Sequence, residues 1–360
     1  MDSTKLCILG CGGFIGSHLL DRVLADPSYT VIGIDKSAEK IKRHLSNSRL
    51  DFTLGDIYTM EAIATCVEQS DIVLSLAALC NPSLYNTIPL RVLENNYSQP
   101  SAIVKVCAEQ KKRLIHFSTC EVYGRTAGSY VSGPHGLAVE PFNEDRSPYV
   151  LGPISAQRWT YACAKQLLER LIYAYGFERG LEYTIVRPFN FIGPRMDFIP
   201  GIDGEGLPRV IACFMEALLF NTPLKLVDGG FNRRAFTAIS DAIDAIMGII
   251  KNPEKSKNQI FNIGNPANET TIADLARRMK RIYQKLSPKY AGQTIDIVNV
   301  SSEEFYGKGY EDSDRRIPDI SKARELLQWE PKTSLDDALS LTIESYVREY
   351  GARAIEENPL

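Results

Sequence analysis

Long apolar runs are missing from this sequence of 360 residues; none approaches the roughly 18 that cross a bilayer as a helix, so no membrane span is expected. Histidine occurs only 4 times, never at zinc-ligand spacing from a cysteine. The cysteines Cys7, Cys11, Cys66, Cys80, Cys107, Cys120, Cys163 and Cys213 are scattered, with no Cys-x-x-Cys pair. That argues against a zinc ribbon or a disulfide framework, and no metal is expected. An excess of one charge is missing too. With 41 Lys and Arg against 44 Asp and Glu and no long basic stripe, no nucleic-acid partner is expected. Repeats and low-complexity segments are lacking. No basic and apolar leader precedes the first strand pattern, so no signal peptide is expected. The chain reads as cytoplasmic, its thiols mostly reduced fillers of apolar space. What remains is an ordinary globular composition, 44% hydrophobic and 24% charged, long enough for one large or two modest domains.

Lys5 to Leu9 reads as a buried strand running into Gly10-Cys11-Gly12-Gly13-Phe14-Ile15-Gly16, followed by a helical pattern through Leu19, Leu20, Val23 and Leu24. Strand, glycine turn and helix come in the order of a dinucleotide phosphate site. Gly10 permits the tight turn, Gly13 lets the backbone approach a pyrophosphate, and Gly16 lets the helix pack on the strand. A second strand, Tyr29 to Ile34, ends at Asp35, the usual place for an acid that binds a ribose 2′-hydroxyl and repels a 2′-phosphate. NAD is therefore expected over NADP. A glycine turn without a ligand, with Asp35 as a strand-end cap, is the plainer alternative.

The alternation continues. Phe52 to Leu54 leads to Asp56 and Ile57, placed for the adenine. Helix Met60–Gln69 and strand Ile72–Ala77 follow, then a loop through Cys80, a long helix from about Leu90 to Glu109, and strand Arg113–Phe117 ending at Ser118-Thr119-Cys120-Glu121. This predicts an α/β fold: a Rossmann-type doubly wound parallel sheet, with its sites at the strand C-termini. Residues 123–153, rich in Gly, Pro and charge, read as a long surface loop of the kind that often forms a lid. Next, Thr160 opens a helix running to about Gly176. On it Tyr161 and Lys165, four apart, share a face. A neighbouring ammonium favours an ionised phenol. Such a tyrosine exchanges a proton with an alcohol while hydride leaves or returns. Taken alone the pair is common by chance, and a solvated helix face is the alternative.

Together the glycine triplet, the Ser118-Thr119 strand end and Tyr161-x-x-x-Lys165 resemble the extended short-chain dehydrogenase/reductase superfamily. Arg187-Pro188-Phe189-Asn190-Phe191-Ile192-Gly193-Pro194 looks like its junction between cofactor and substrate parts. Ser118 to Gly124, Arg158-Trp159-x-Tyr161, Lys225 to Gly230 and Tyr306-Gly307-Lys308-Gly309-Tyr310-x-Asp312-x-x-x-Arg316-x-Pro318 are similar to the UDP-glucuronate decarboxylase branch. Arg113 to Glu121 and Pro194 to Gly204 narrow the likeness to its apiose-forming members, which carry thiols matching Cys80 and Cys120 and a tyrosine matching Tyr85. The likeness runs from Leu6 to about Tyr346.

The resemblance implies NAD as cofactor, held by Gly10, Gly13, Phe14, Ile15, Gly16, Asp35, Asp56, Ile57 and Ala77 with Tyr161 and Lys165. It implies UDP-glucuronate as substrate, bound by Asn190, Lys225, Arg234, Tyr310 and Arg316, with UDP-pentoses as products. Tyr161, Lys165 and Thr119 would work the hydride steps. Glu121, Arg158 and Arg316 would orient the sugar and deliver protons. Cys80, Cys120 and Tyr85 would serve ring contraction. A decarboxylase giving only UDP-xylose or the 4-keto-pentose, and a non-catalytic NAD sensor, are the alternatives.

The C-terminal stretch predicts helices at Pro208–Phe220, Asp241–Ile250, Thr271–Lys285, Ser321–Leu327 and 335–349, and strands at Leu224–Val227 and Gln259–Ile263. Arg233-Arg234 offers forked donors to a diphosphate, or else a solvated turn. Arg315-Arg316 looks like a positive clamp. The expected division is an NAD-binding domain at 1–190, with 234–263 returning to it, and a smaller mixed α/β sugar-nucleotide domain at 191–233 and 264–350. Superfamily habit implies a homodimer through helices near 90–109 and 157–176.

Overall fold

The computed structural model describes residues 3–126, 140–200, 202–204, 207–286, 288–307 and 311–357. Its strands are β1 Thr4–Leu9, β2 Tyr29–Asp35, β3 Leu50–Leu54, β4 Ile72–Ser75, β5 Arg113–Phe117, β6 Tyr183–Pro188, β7 Phe191–Ile192, β8 Leu224–Val227, β9 Arg233–Ala235, β10 Thr237–Ala238, β11 Gln259–Ile263, β12 Glu269–Thr271, β13 Ile297–Val300 and β14 Arg315–Arg316. Seven form one parallel sheet in the order β11-β6-β5-β4-β1-β2-β3. The order reverses beside β1, and in open sheets of this kind ligands bind at that switch point, off the strand C-termini.

Period-two alternation explains why the strands read as unbroken apolar runs: both faces are covered. Leu6 and Ile8 of β1 and Ile115 and Phe117 of β5 face the helices Phe14–Leu24 and Ile239–Lys251. Their neighbours Cys7, Leu9 and Leu114 face the helices Met60–Glu68, Gln99–Glu109 and Thr160–Arg179. A second core gathers the helices Val210–Leu219, Ile272–Leu286 and Leu335–Glu357 under β8. Three small sheets complete it: β7 with β10, β8 with β13, and β12-β9-β14.

Three local expectations are corrected. The helix expected from Leu90 to Glu109 is helical throughout but widens to a π turn at Glu94–Ser98. Pro100 follows in the first turn of Gln99–Glu109; it has no N–H and its ring crowds the carbonyl four residues back, so the ladder loosens there. The Tyr161 helix does not stop at Gly176. It runs to Arg179 and ends at Gly180, whose φ of +70° is a left-handed cap. Gly176 serves packing instead: a Cβ there would stand 2.5 Å from the Tyr183 ring. The stretch read as a surface loop is tied down wherever it is described. Tyr123 and Phe142 are buried and stacked, Phe142 N–H donates to Ile317 O at 2.8 Å, and the Tyr149 hydroxyl accepts from the buried Arg187.

Candidate active site

The cofactor cradle is tested by what a side chain would hit. Gly10 has φ +96°, and a Cβ on it would stand 2.9 Å from Ala77 N. A Cβ on Gly16 would stand 2.2 Å from Gly10 O, so only glycine lets the helix sit on the turn. A Cβ on Gly13 would meet nothing closer than Gly10 O at 3.3 Å, which leaves that side of the turn open. The helix opened by Phe14 and Ile15 has neither a side-chain cap nor an acid in its first turn. Its leading N–H groups are thus free of side-chain acceptors and suited to a phosphate. Asp35 is both cap and acid: its carboxylate accepts from Gly12 N at 2.9 Å and Ser37 N at 3.0 Å. Asp56 pairs with Lys36 at 3.1 Å and lines a hollow of about 540 Å³ with Leu90 and Gln99; Ile57 is buried beside it. These residues fit a dinucleotide.

Beyond the C-terminal ends of β4 and β5 lies a cleft of about 780 Å³. Thr119 accepts from Glu121 N at 3.2 Å, which starts the short turn carrying Cys120 and Glu121. Tyr161 is buried and stacks on the equally buried Tyr85, ring centres 5.2 Å apart. The Arg158 guanidinium stands 5.5 Å from the centre of the Tyr85 ring. Cys80 opens into the cleft, while Cys120 is buried 4.0 Å from Arg316 Nη1. Desolvation by the cleft walls raises the pKa of Cys80, and burial raises that of Cys120, so both carry protons at neutral pH.

Lys165 departs from expectation. Fully buried, it donates from Nζ to Phe117 O at 3.0 Å, and burial lowers its own pKa to about 8. Burial, then Cys80 and Glu121, push the Tyr161 phenol well above its ordinary value, and Thr119 opposes them.

The floor of the cleft is a buried charge cluster. Arg158 grips Glu121 with both Nη atoms at 2.5 and 3.1 Å and reaches Asp312 at 3.5 Å. Arg316 lies 3.2 Å from Glu121 and 3.2 Å from Asp312, and Arg234 holds Asp312 at 2.6 Å. Among the described residues, three guanidiniums meet two carboxylates here. Burial pushes the Glu121 carboxyl up, and Arg158 and Arg316 more than offset it. Burial likewise raises Asp312, but Arg234, Arg316 and Arg158 bring it to about 2. Both acids are therefore ionised.

Strand pairing explains which arginines meet. β14 runs parallel to β9, with Arg315 opposite Arg233 and Arg316 opposite Arg234. Alternation sends Arg234 and Arg316 together to Asp312, while Arg233 and Arg315 both pair with Glu269. The adjacent arginines thus form two separate pairs rather than one clamp.

Asn190, at φ +42°, donates to Ala235 O at 2.9 Å and lines the cleft, as does the exposed Lys225 on β8. Tyr310 lies outside the described residues. Two contributors had no role assigned from sequence. Asp312 stood inside a quoted motif, but nothing local marks it as the centre of three arginines. Arg209 lines the cleft, is held by Asp197 at 2.8 and 2.9 Å, and stands 5.7 Å from the Phe14 ring at the cofactor turn. Its one sequence cue is its place just before an apolar helix.

Residues 6–264 match the model of the NAD dependent epimerase/dehydratase family. The chain belongs to that family. It is 49% identical over 364 residues to UDP-D-apiose/UDP-D-xylose synthase 1 of Arabidopsis thaliana, covering 98% of this chain and 93% of that protein. It is 48% identical over 353 residues to the UDP-D-apiose/UDP-D-xylose synthase of Oryza sativa subsp. japonica, covering 94% and 88%. Among solved structures, the PbgP3 protein from Burkholderia pseudomallei shares 35% identity at a TM-score of 0.84, with 98% of each chain covered. UDP-glucuronic acid 4-epimerase from Bacillus cereus, in complex with UDP-glucuronic acid and NAD, shares the fold at 24% identity and a TM-score of 0.78, covering 96% of this chain and 100% of that one. This chain is an NAD-dependent enzyme, and the extended short-chain dehydrogenase/reductase reading stands.

Proposed function

We propose that the enzyme converts UDP-glucuronate to UDP-apiose and UDP-xylose through a 4-keto intermediate. The observation that carries this is the trio of buried arginines on the cleft floor, two of which, Arg158 and Arg316, meet Glu121, the acid whose charge reaches the Tyr161 phenol. A sugar whose 4-hydroxyl meets Tyr161 sets its 6-carboxylate near those arginines. The names of the relatives at 49% and 48% identity agree with it.

Bound NAD supplies the hydride acceptor for carbon 4 and later the donor that reverses that step. Tyr161 takes the 4-hydroxyl proton as its phenolate, the form that the positive charges of Lys165 and of the bound cofactor's nicotinamide would favour. The resulting β-keto acid loses carbon dioxide readily, because the ketone receives the electrons as an enolate. Arg316 and Arg158 hold the carboxylate out of plane beforehand, which fixes the geometry of the bond that breaks. Glu121 is ionised, so it acts as a base and not as the acid first expected. The protonated groups nearby include the thiols and the buried Tyr85 phenol, and we assign proton return at carbon 5 to the thiols.

For apiose, a base removes the 2-hydroxyl proton, the bond between carbons 2 and 3 breaks, and the 4-ketone takes the electrons. Glu121 suits that base, and Cys80 or Cys120 protonates or traps the exposed aldehyde. Carbon 4 of the resulting enediolate adds to the carbon 2 aldehyde, which recloses a ring smaller by one carbon, and the carbon 3 aldehyde left outside the ring is reduced by the hydride taken earlier from carbon 4.

We further divide the chain as expected from sequence, with 234–263 assigned to the cofactor domain, a reading supported by the pairing of β11 with β6. A homodimer is proposed on the outer face of Thr160–Arg179, where Tyr173 and Phe177 are 60% and 84% exposed. A cytoplasmic place is proposed from eight free cysteines. The deciding test is incubation with UDP-glucuronate and NAD, with carbon dioxide trapped and pentoses separated by mass and NMR. One carbon dioxide per UDP-pentose is expected, and none would end this reading.

A further inference from the structure

Phe231 is an aromatic side chain left open in a binding cleft. It is 69% exposed, yet it lines the cleft beside Lys225 and Val227. Large apolar side chains laid open inside a pocket mark contacts waiting for a ligand.

The backbone holds it there. Asp228, Gly229 and Gly230 follow β8 with φ of +46°, +77° and +65°, three left-handed residues in a row that turn the chain back. Asp228 accepts from Ser302 N at 3.0 Å, which ties the turn to the next segment. A Cβ on Gly230 would stand 2.9 Å from Ala273 N, so the turn seats directly on the start of the helix Ile272–Leu286. A Cβ on Gly229 would meet Phe231 Cε2 at 2.5 Å, so the ring lies folded over that glycine. One side of the ring is backed by Gly229, and none of the described aromatic side chains stacks on it.

The place of the ring in the cleft says what covers it. Cys80, Glu121 and Arg158 line the cleft beyond the sheet, and Phe231 lines it from the turn after β8, the strand that sends Leu224 and Leu226 into the second core. A nucleotide sugar with its sugar at Tyr161 carries its base away from the reacting carbon by a diphosphate and a ribose.

We propose that Phe231 is the stacking platform for the substrate's nucleobase, a pyrimidine, setting how tightly the nucleotide binds without entering the reaction. The proposal rests on a UDP-sugar being the substrate. Stacking on an aromatic ring is worth roughly 1–3 kcal/mol per base.

The test is calorimetric titration of the NAD-loaded enzyme with UDP and with inorganic pyrophosphate. Phe231→Ala should bind UDP about 10-fold more weakly, with pyrophosphate binding unchanged. Its KM for UDP-glucuronate should rise by the same factor while kcat changes less than about 2-fold. Phe231→Tyr should bind like the native protein, and Phe231→Leu like the Ala variant. UDP affinity unchanged in Phe231→Ala, an equal loss for pyrophosphate, or full retention by Phe231→Leu would each overturn it. Failure of the native enzyme to bind UDP would overturn it as well. Native binding of UDP with no carbon dioxide release would leave the platform standing and reject only the proposed reaction. NAD affinity, measured in parallel, shows that each variant is folded.

Discussion

Seven consecutive residues, Gly10 to Gly16, make the cofactor turn, whereas the charged floor of the cleft draws Glu121, Arg158, Arg234, Asp312 and Arg316 from four separate stretches of chain. The turn works through backbone and needs little more than the absence of side chains. The floor works through side chains, and each of its two carboxylates is held by two or three guanidiniums. A turn of the first kind tolerates change in the rest of the molecule. A cluster of the second kind ties the reaction to the relative placement of β9, β14, the turn after β5 and the start of the Tyr161 helix.

The comparison can be broken at both ends. The largest effect belongs to the proton exchanger between them: Tyr161→Phe should lower kcat about 10³-fold while NAD binds unchanged in a fluorescence titration. In the cluster, Asp312→Asn removes the carboxylate that three arginines share. We expect kcat/KM for UDP-glucuronate to fall about 30-fold, with a lower melting temperature, because guanidiniums are left buried beside fewer anions. A wild-type value would mean that the cluster does not act as a unit.

The turn offers a finer contrast. Gly16→Ala forces a Cβ to 2.2 Å from Gly10 O and should cost about 2 kcal/mol in urea unfolding. Gly13→Ala meets only Gly10 O at 3.3 Å and should leave stability within about 0.5 kcal/mol while weakening NAD roughly 10-fold. Equal stability losses would remove the distinction between packing and binding glycines.

Replacing Cys80 and Cys120 together with Ser should lower apiose more than xylose in the product mixture, read by NMR; equal losses would remove any special part for the thiols. The smallest expected effect is a pH limb. Lys165 has its pKa lowered by burial to about 8, so its ammonium is present below that pH and lost above it. The log of kcat/KM should therefore bend downward as pH rises through about 8, and Lys165→Arg should move the bend upward.

Legibility in the sequence followed the same contrast. The glycine turn, Asp35 and the Tyr161–Lys165 pair were readable because each depends on spacing along one element. Strands β8 and β11 were bounded from their apolar pattern alone. The pairing of Arg234 with Arg316 was not readable, since it arises from a register between strands 82 residues apart (316 − 234). The burial that depresses Lys165 and raises Tyr161 was not legible. Spacing shows that two groups share a face, but burial and the anions around them decide which form each takes.

The most direct measurement is kcat/KM for UDP-glucuronate against UDP-glucose, which differ at carbon 6 by a carboxylate against a hydroxymethyl group. A cleft floor that gathers three guanidiniums should favour the uronate by about 100-fold or more and release one carbon dioxide per turnover. Oxidation of both sugars at comparable rates would contradict the assignment of the cluster to the carboxylate.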